Sequence, residues 1–273
     1  MRDWRFLFGL IIIAMIVALA AVSLVWVPHD ISKFNLAARL AGSSWTYPLG
    51  TDHFGRDVLS MLMVGGRVSI AVAFLGVVGG ALIGIPLGSA AAAWGGWLDE
   101  IVMRGNDLIF AFPALLSALM LAAVFGAGAA NAVVAIAIFN IPVFARVARG
   151  ASLPVWRVEY VTAARAAGKG KLRIIGDHVL PNIASLLIVQ ATIQFSVGIL
   201  QEAGLSYVGL GATPPSTSWG QMLAQAQTMA ALSPRLALLP GMAIVVFVVA
   251  LNMVGTSLRE TLDPRLGGAY EAR

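Results

Sequence analysis

Residues 6–27 read FLFGLIIIAMIVALAAVSLVWV, an apolar stretch of 22 residues without a single charged side chain. At about 1.5 Å per residue such a stretch covers the roughly 30 Å of a hydrocarbon core, so it predicts a transmembrane helix. Arg2 and Arg5 before it and Ala18-Leu19-Ala20 within it have the look of a secretory leader. The apolar core, however, is longer than the roughly 7 to 15 residues that leaders use, which favours a retained span. Five more apolar runs follow at 68–93, 108–125, 131–148, 182–200 and 236–258, so six spanning helices are expected. Pro86, Pro113 and Pro142 fall inside these runs and are expected to mark kinks, because neighbouring helices can satisfy the carbonyls that proline frees. The glycines between 76 and 88 suit close helix packing, since association in lipid relies on small residues at the contact.

Composition points the same way. Of 273 residues, 59% are hydrophobic and only 11% charged, against a usual quarter, and the mean hydropathy is +0.87. These values exclude a water-soluble globule, a disordered chain and a nucleic-acid module, leaving an all-α polytopic membrane protein. The chain has no cysteine, so disulfides, thiol nucleophiles and thiolate metal sites are absent. His29, His53 and His178 are too far apart in sequence to share a helix face, which argues against a zinc cage.

The net charge of +5 matters less than its distribution. With the N-terminus inside, 13 of the 18 Lys and Arg residues fall on one side, among them Arg2, Arg5, Arg104, the seven from Arg146 to Arg173, Arg259, Arg265 and Arg273. The other side receives the remaining five, Lys33, Arg39, Arg56, Arg67 and Arg235. Cytoplasmic loops carry excess Lys and Arg, so both termini are expected in the cytoplasm. Three connections exceed what a compact bundle needs: an external loop at 28–67, a basic internal loop at 149–181, and a second external loop at 203–235. The chain divides accordingly into an N-terminal helix with its long external loop (1–67), a five-helix core containing the internal loop (68–258) and a cytoplasmic tail (259–273).

In the internal loop, nothing between Val158 and Ala167 breaks a helix, and Gly168 is a natural terminator. A second short helix is expected over 172–179, stopping at Pro181, with both helices lying along the cytoplasmic face. Ala163, Ala164 and Ala167 share one side at helical spacing, giving a smooth face flanked by Arg157 and Arg165 that suits a partner's groove.

These residues resemble the cytoplasmic loop of the integral membrane subunit of binding-protein-dependent ABC importers: E-A-A, three residues, G, nine residues, then I-x-L-P. Ala163-Ala164, Gly168 and Leu180-Pro181 match, whereas Thr162 replaces the Glu and His178 the Ile, with Glu159 one turn earlier as a substitute. The external stretch Pro48-Leu49-Gly50-Thr51-Asp52-His53-Phe54-Gly55-Arg56-Asp57 is similar to the second, C-type permease of dipeptide, oligopeptide and nickel importers. So are Gly66-Arg67-Val68-Ser69, Leu205-Ser206-Tyr207-Val208-Gly209-Leu210-Gly211, Pro214-Pro215, Ser218-Trp219-Gly220 and Leu262-Asp263-Pro264-Arg265.

The resemblance implies a type I ABC importer permease fold in a bacterial or archaeal cytoplasmic membrane. It also implies a complex with a second homologous permease, two ATP-binding subunits and an extracytoplasmic substrate-binding protein. ATP and Mg would be held by the partner subunits, with no cofactor on this chain, which has no G-x-x-x-x-G-K-[ST] loop. Glu159, Tyr160, Thr162, Ala163, Ala164, Arg165, Ala167 and Gly168 become the candidate ATPase-coupling residues. Gly50, Thr51, Asp52, Gly55, Arg56 and Asp57 become a candidate external signature loop. Short peptides are the first choice of substrate, followed by nickel chelates and glutathione-like or opine-like solutes.

Several features read more than one way. Asp52, His53 and Asp57 are metal-ligand types, but Gly50, Gly55 and the adjacent Arg56-Asp57 favour a tight turn tied by local ion pairs. Pro214-Pro215 with Trp219 reads equally as an extended segment with an interfacial aromatic or as a docking element for the binding protein. Gln190, Gln194 and Gln201 fall within about 40° of one another on a helical wheel, a polar stripe that either lines the pathway or bonds between helices. Asn140 and Asn252 read as interhelical bonds. An ion-coupled carrier would need a mid-membrane carboxylate, and the only candidates, Asp107 and Glu202, are expected at helix ends. An intramembrane enzyme would need a motif such as H-E-x-x-H, which the sequence lacks.

The charge count generates a topology prediction. In this Cys-free chain, Leu40→Cys and Val155→Cys should label from opposite sides of the membrane. Labelling of both by an impermeant maleimide in intact cells contradicts the six-span arrangement.

Overall fold

A computed structural model describes residues 4–262, and its regular structure is helical apart from an isolated bridge between Thr51 and Asp57. Four continuous helices are long and apolar enough to span: α1 (Trp4–Val22), α2 (Val58–Trp94), α5 (Ala129–Val155) and α10 (Arg235–Leu262). A fifth rod, Lys171–Tyr207, joins α7 (Lys171–Ile174), a π turn (Ile175–Val179) and α8 (Leu180–Tyr207). A bent pair, α3 (Gly96–Ala111) and α4 (Ala114–Phe125), turned by 88°, is long and apolar enough to span only when its two helices are taken together, which makes five spanning helices or six with this pair. Two short helices lie outside these, α6 (Glu159–Ala166) before α7 and α9 (Trp219–Gln227) before α10.

The pair α2 and α5 forms the most extensive interface. Gly76, Gly80, Gly84 and Gly88 recur every four residues, so they line one side of α2. A Cβ on Gly80 would come within 2.3 Å of the Asn140 Cβ, one on Gly84 within 2.5 Å of the Ile141 carbonyl, and one on Gly88 within 2.1 Å of the Ala145 carbonyl. The backbones therefore touch, as small-residue association in lipid requires. Around this pair, α8 packs on α2, α5 and α10, and α1 lies against α10 with Gly9 at the Ala250 carbonyl.

Several boundaries differ from those expected. The second span begins at Val58 rather than at 68, because the Asp57 side chain caps it by accepting the Ser60 N–H and because Arg67, inside the helix, donates to the Ser23 carbonyl at 3.1 Å. The fourth span runs on to Val155, carrying Arg146 and Arg149 to Asp107 and Asp99 of α3. A span at 108–125 is interrupted at Phe112, which is extended (φ −99°, ψ 131°) as the residue before a proline prefers. Pro86 and Pro142 sit within unbroken helices.

The separate second short helix ending at Pro181 is also replaced. The chain from Lys171 is continuous with α8, and Pro181 stands in the first turn of α8, where a missing N–H costs least. The π turn before it takes up the extra residue. The 203–235 loop is shortened by α8, which reaches Tyr207, and is folded over by α9. Arg2, Arg265, Arg273 and the Asp263-Pro264-Arg265 segment lie outside the described residues.

The glycine seam yields a paired prediction. Gly150 lies in α5 with nothing within 4 Å of its Cβ position, so Gly150→Ala should be neutral or stabilise by about 0.5 to 1 kcal/mol. Gly88→Ala drives a methyl into the Ala145 backbone and should destabilise by about 1 to 3 kcal/mol. Thermal unfolding of the detergent-solubilised protein checks the pair; equal midpoints would contradict the seam.

Candidate functional site

One end of the bundle presents α6. Glu159 in its first turn and Arg165 in its last complement the helix dipole, and Val158 is its extended N-cap. Glu159, Tyr160, Thr162, Ala163, Arg165 and Ala167 are exposed and Ala164 is half-buried, so the small face is open. What holds the helix is Val161, fully buried against a cluster of Ala148, Ile174, Val179, Ile183 and Leu187. Gly168 ends the segment at φ +81°, a left-handed geometry that favours glycine, and the Lys169 N–H returns to the Ala164 carbonyl at 3.0 Å.

Lys169 then reaches the π turn, with its Nζ 2.8 Å from Asp177 Oδ2 and 3.0 Å from His178 Nε2. The Tyr160 ring meets His178 edge-on at 5.8 Å. Val161, Lys169 and Asp177 were not legible as functional positions. Val161 is the one large aliphatic residue between Glu159 and Gly168, and that isolation is the signal that finds it.

The glutamine stripe divides. Gln190, Gln194 and Gln201 are all half-buried. Gln194 Nε2 donates to Asn140 Oδ1 at 2.9 Å, tying α8 to α5. Gln201 instead lines a cavity of about 280 Å³ with Ala118, Ala135, Ile136, Phe139 and Val197. Asn140 thus makes the expected interhelical bond, whereas Asn252 donates to the Val248 carbonyl of its own helix at 3.0 Å. An amide four residues after a free carbonyl lone pair can satisfy itself locally, and does so here.

At the opposite end the external signature loop is a tied turn. Gly50 and Gly55 have φ of +74° and +75°, and a Cβ on Gly55 would overlap the Asn35 carbonyl. Asp52 accepts the Phe54 and Arg56 N–H groups at 2.8 Å each and pairs with the Arg56 guanidinium at 2.6 Å, with both side chains largely buried. Arg56 Nη2 also donates to Gln225 Oε1 of α9 at 2.7 Å, and Arg235 donates to the carbonyls of Ala41 and Thr51. The Thr51 hydroxyl bonds Ala38 and Ala41. Asp57 caps α2, its Oδ2 accepting from Ser60 Oγ at 2.6 Å. Burial lowers the pKa of His53 from the usual imidazole range. The two loops expected on one side are thereby joined at one end of the molecule.

Glu202 departs from its expected position at a helix end. It lies inside α8, five residues before Tyr207, with only 1% of its surface exposed, and its Oε1 accepts from Ser206 Oγ at 2.6 Å.

The structure is thus a bundle of membrane-spanning helices with a glycine-terminated helix at one end and a clamped loop at the other, and comparison shows its class, an importer permease. Residues 84–268 match the family described as binding-protein-dependent transport system inner membrane component, and this chain belongs to it. It is 38% identical over 255 residues to the glutathione transport system permease protein GsiD of Pectobacterium atrosepticum, covering 93% of this chain and 85% of that protein. It is likewise 38% identical over 258 residues to the dipeptide transport system permease protein DppC of Alkalihalophilus pseudofirmus, covering 94% and 85%. An inward-facing structure of the MetNI methionine ABC transporter superposes with a TM-score of 0.63 at 19% identity, over 74% of this chain and 96% of that one, a likeness of fold.

The clamp predicts a large asymmetry. Asp52→Ala leaves the Arg56 guanidinium, 13% exposed, without its carboxylate, and should cost about 3 to 5 kcal/mol. His53→Ala, in the same loop but outside the ion pair, should cost far less. Unfolding midpoints of the two variants decide between a structural clamp and a solvated loop.

Proposed function

We propose that this chain forms half of the translocation pathway of an ATP-driven importer of short peptides. It pairs with a second homologous permease and two ATP-binding subunits, which carry ATP and Mg and perform the hydrolysis. A binding protein delivers substrate at the extracytoplasmic end. The names of the dipeptide and glutathione permeases among its relatives support peptide-like cargo. Selection lies largely with the separate binding protein, so nickel chelates and opine-like solutes remain the alternatives. Both termini face the cytoplasm of a bacterial or archaeal cell, in line with the 13-to-5 distribution of Lys and Arg.

The observation that carries this reading is α6: a short exposed helix, smooth on one side, fastened by one buried valine and ended by a left-handed glycine. Closing of the ATPase dimer draws α6 toward its counterpart in the second permease. Val161 passes the displacement to Ile174 and Val179 at the base of the α8 rod. Gln201, on the cavity between α4, α5 and α8, is the pathway-lining candidate, and Gln194 sets the spacing of α5 and α8. Gly50, Thr51, Asp52, Gly55, Arg56 and Asp57 hold the external mouth rather than a metal.

Two substitutions test the coupling role. Ala164→Trp overpacks the small face, which typically costs about 1 to 3 kcal/mol, roughly a five- to hundredfold loss of association. Gly168→Pro cannot adopt φ +81°. Both should insert normally yet lose uptake of dialanine and binding-protein-stimulated ATP hydrolysis in the reconstituted complex. Unaltered uptake and hydrolysis in Ala164→Trp would remove α6 from the transmission path.

A further inference from the structure

Charged residues that flank two apolar runs meet at one boundary of the bundle. Arg5 immediately precedes the run from 6 to 27, and Glu260 lies two residues beyond the run from 236 to 258. The helices that carry them are antiparallel neighbours. Helix α1 rests on α10 at Gly9, where a Cβ would lie 2.9 Å from the Ala250 carbonyl. One turn nearer the start of the chain, Trp4 and Arg5 line a cleft of about 380 Å³ against α10. Val249, Asn252, Met253, Thr256 and Glu260 recur at spacings of three and four, so a single face of α10 forms the opposite wall.

Arg5 and Glu260 are opposite charges on one cleft, yet they are not joined. Among the described residues no ion pair within 4.0 Å involves either. Both are exposed, as are Asn252 and Thr256. Instead of a direct pair, the cleft leaves room for a ligand that carries both complementary charges. The lining also changes character in order. Arg5 and Glu260 stand at the boundary, the Thr256 hydroxyl comes one turn in, and Asn252, Met253 and Val249 lie deeper, over about 16 Å of α10 at roughly 1.5 Å per residue. A charged rim above polar and then apolar side chains matches a phospholipid from headgroup through glycerol esters to acyl chain. Trp4, 67% exposed and with the Arg5 guanidinium 6.0 Å from its ring, has the placement of an interfacial aromatic.

We propose that this cleft is a phospholipid site selective for a zwitterionic headgroup with a primary ammonium, of the ethanolamine class. Arg5 takes the phosphate, Glu260 the ammonium and Thr256 an ester oxygen, while an acyl chain lies over Met253 and Val249. Guanidinium donors match phosphate oxygens in geometry and charge. The carboxylate sets the selectivity: an anionic headgroup loses at Glu260 what it gains at Arg5, and a trimethylated ammonium has no N–H to donate. A lipid held there bridges the adjoining ends of α1 and α10. The site is separate from α6 and from the Gln201 cavity, and it depends on neither the cargo nor the coupling path.

The test uses the full complex with the second permease and the ATP-binding subunits, delipidated in detergent. It is offered equal amounts of dioleoyl phosphatidylethanolamine, phosphatidylcholine and phosphatidylglycerol, and native mass spectrometry counts the lipids retained. The ethanolamine lipid should be retained in preference to both others. Glu260→Gln should reduce its preference over phosphatidylcholine by about two- to fivefold, the range an exposed charge pair supplies. Glu260→Lys should turn the preference toward phosphatidylglycerol, a reversal that a merely structural role would not produce. Arg5→Gln should lower retention of all three, since each carries a phosphate. If Arg5→Gln does not insert, the two Glu260 variants carry the test. Free phosphoethanolamine, which has the headgroup chemistry without acyl chains, should not displace the lipid; displacement overturns the lipid assignment. Equal retention of the three lipids by the unmodified complex, as for a non-selective annulus or a cleft covered by a partner chain, overturns the proposal. So does a preference that Glu260→Lys leaves unchanged. Neither result touches the importer reading.

Discussion

The contact of α2 with α5 is the constraint on which the other positions depend. Lipid tails are as apolar as leucine, so burial gives these helices little reason to associate, and close backbone approach has to supply dispersion instead. Glycine at every fourth position from 76 to 88 permits that approach against the stretch of α5 from Ile136 to Ala145. The two helices act as one beam. One end carries Asp57, the cap of α2, and Ser69, whose hydroxyl accepts the Trp219 N–H of α9. Its other end carries Ala148, against which Val161 of α6 packs, and Arg149, which holds α3 through Asp99. Both ends of the transporter are thus referred to the same pair of backbones.

The spanning segments were legible because their apolar runs reach bilayer thickness, and a run of that kind has few other readings. Their ends were not. Absence of charge stops a span too early wherever a charged residue has a partner that the sequence does not reveal. Arg67 is satisfied by the Ser23 carbonyl and Arg149 by Asp99, so helices continue through both. Pro181 misled for a different reason. Proline was read as a terminator, but after a π turn it occupies the tolerant first turn of the following helix. The end of the short helix α6 was legible from Gly168, at φ +81°, whereas the burial of Val161 depends on side chains over 10 positions away in sequence.

Among the described residues, polar groups of two energetic classes distinguish the signature turn at 50–57 from the π turn at 175–179. Asp52 and Asp57 are nearly inaccessible and hydrogen-bonded, so losing one partner strands a buried acceptor or charge at a cost of several kcal/mol. The pairs around the π turn are open to water: Asp177 is 49% exposed and Arg173 79%. Screened pairs of that kind contribute about 0 to 1 kcal/mol each. The signature turn is therefore built from all-or-none contacts and the π turn from contacts that break and reform cheaply.

That asymmetry fits a machine driven from one side. In the coupling role proposed for α6, a force applied there would meet a segment fastened by a single apolar plug and a few screened charges. The plug bears on Ile174, which precedes the π turn, and on Val179, the last residue of that turn. A π turn holds one residue more than the α-helical register around it, and absorbing or releasing that residue is a local change with a rotation as its consequence. Beyond the π turn the chain continues as one helix from Leu180 to Tyr207, which packs on α9 near its far end, where Gly220 meets Ala203. In the coupling role proposed for α6, a soft joint at one end and a stiff rod running to the other would carry a small displacement from α6 to the opposite end of the bundle.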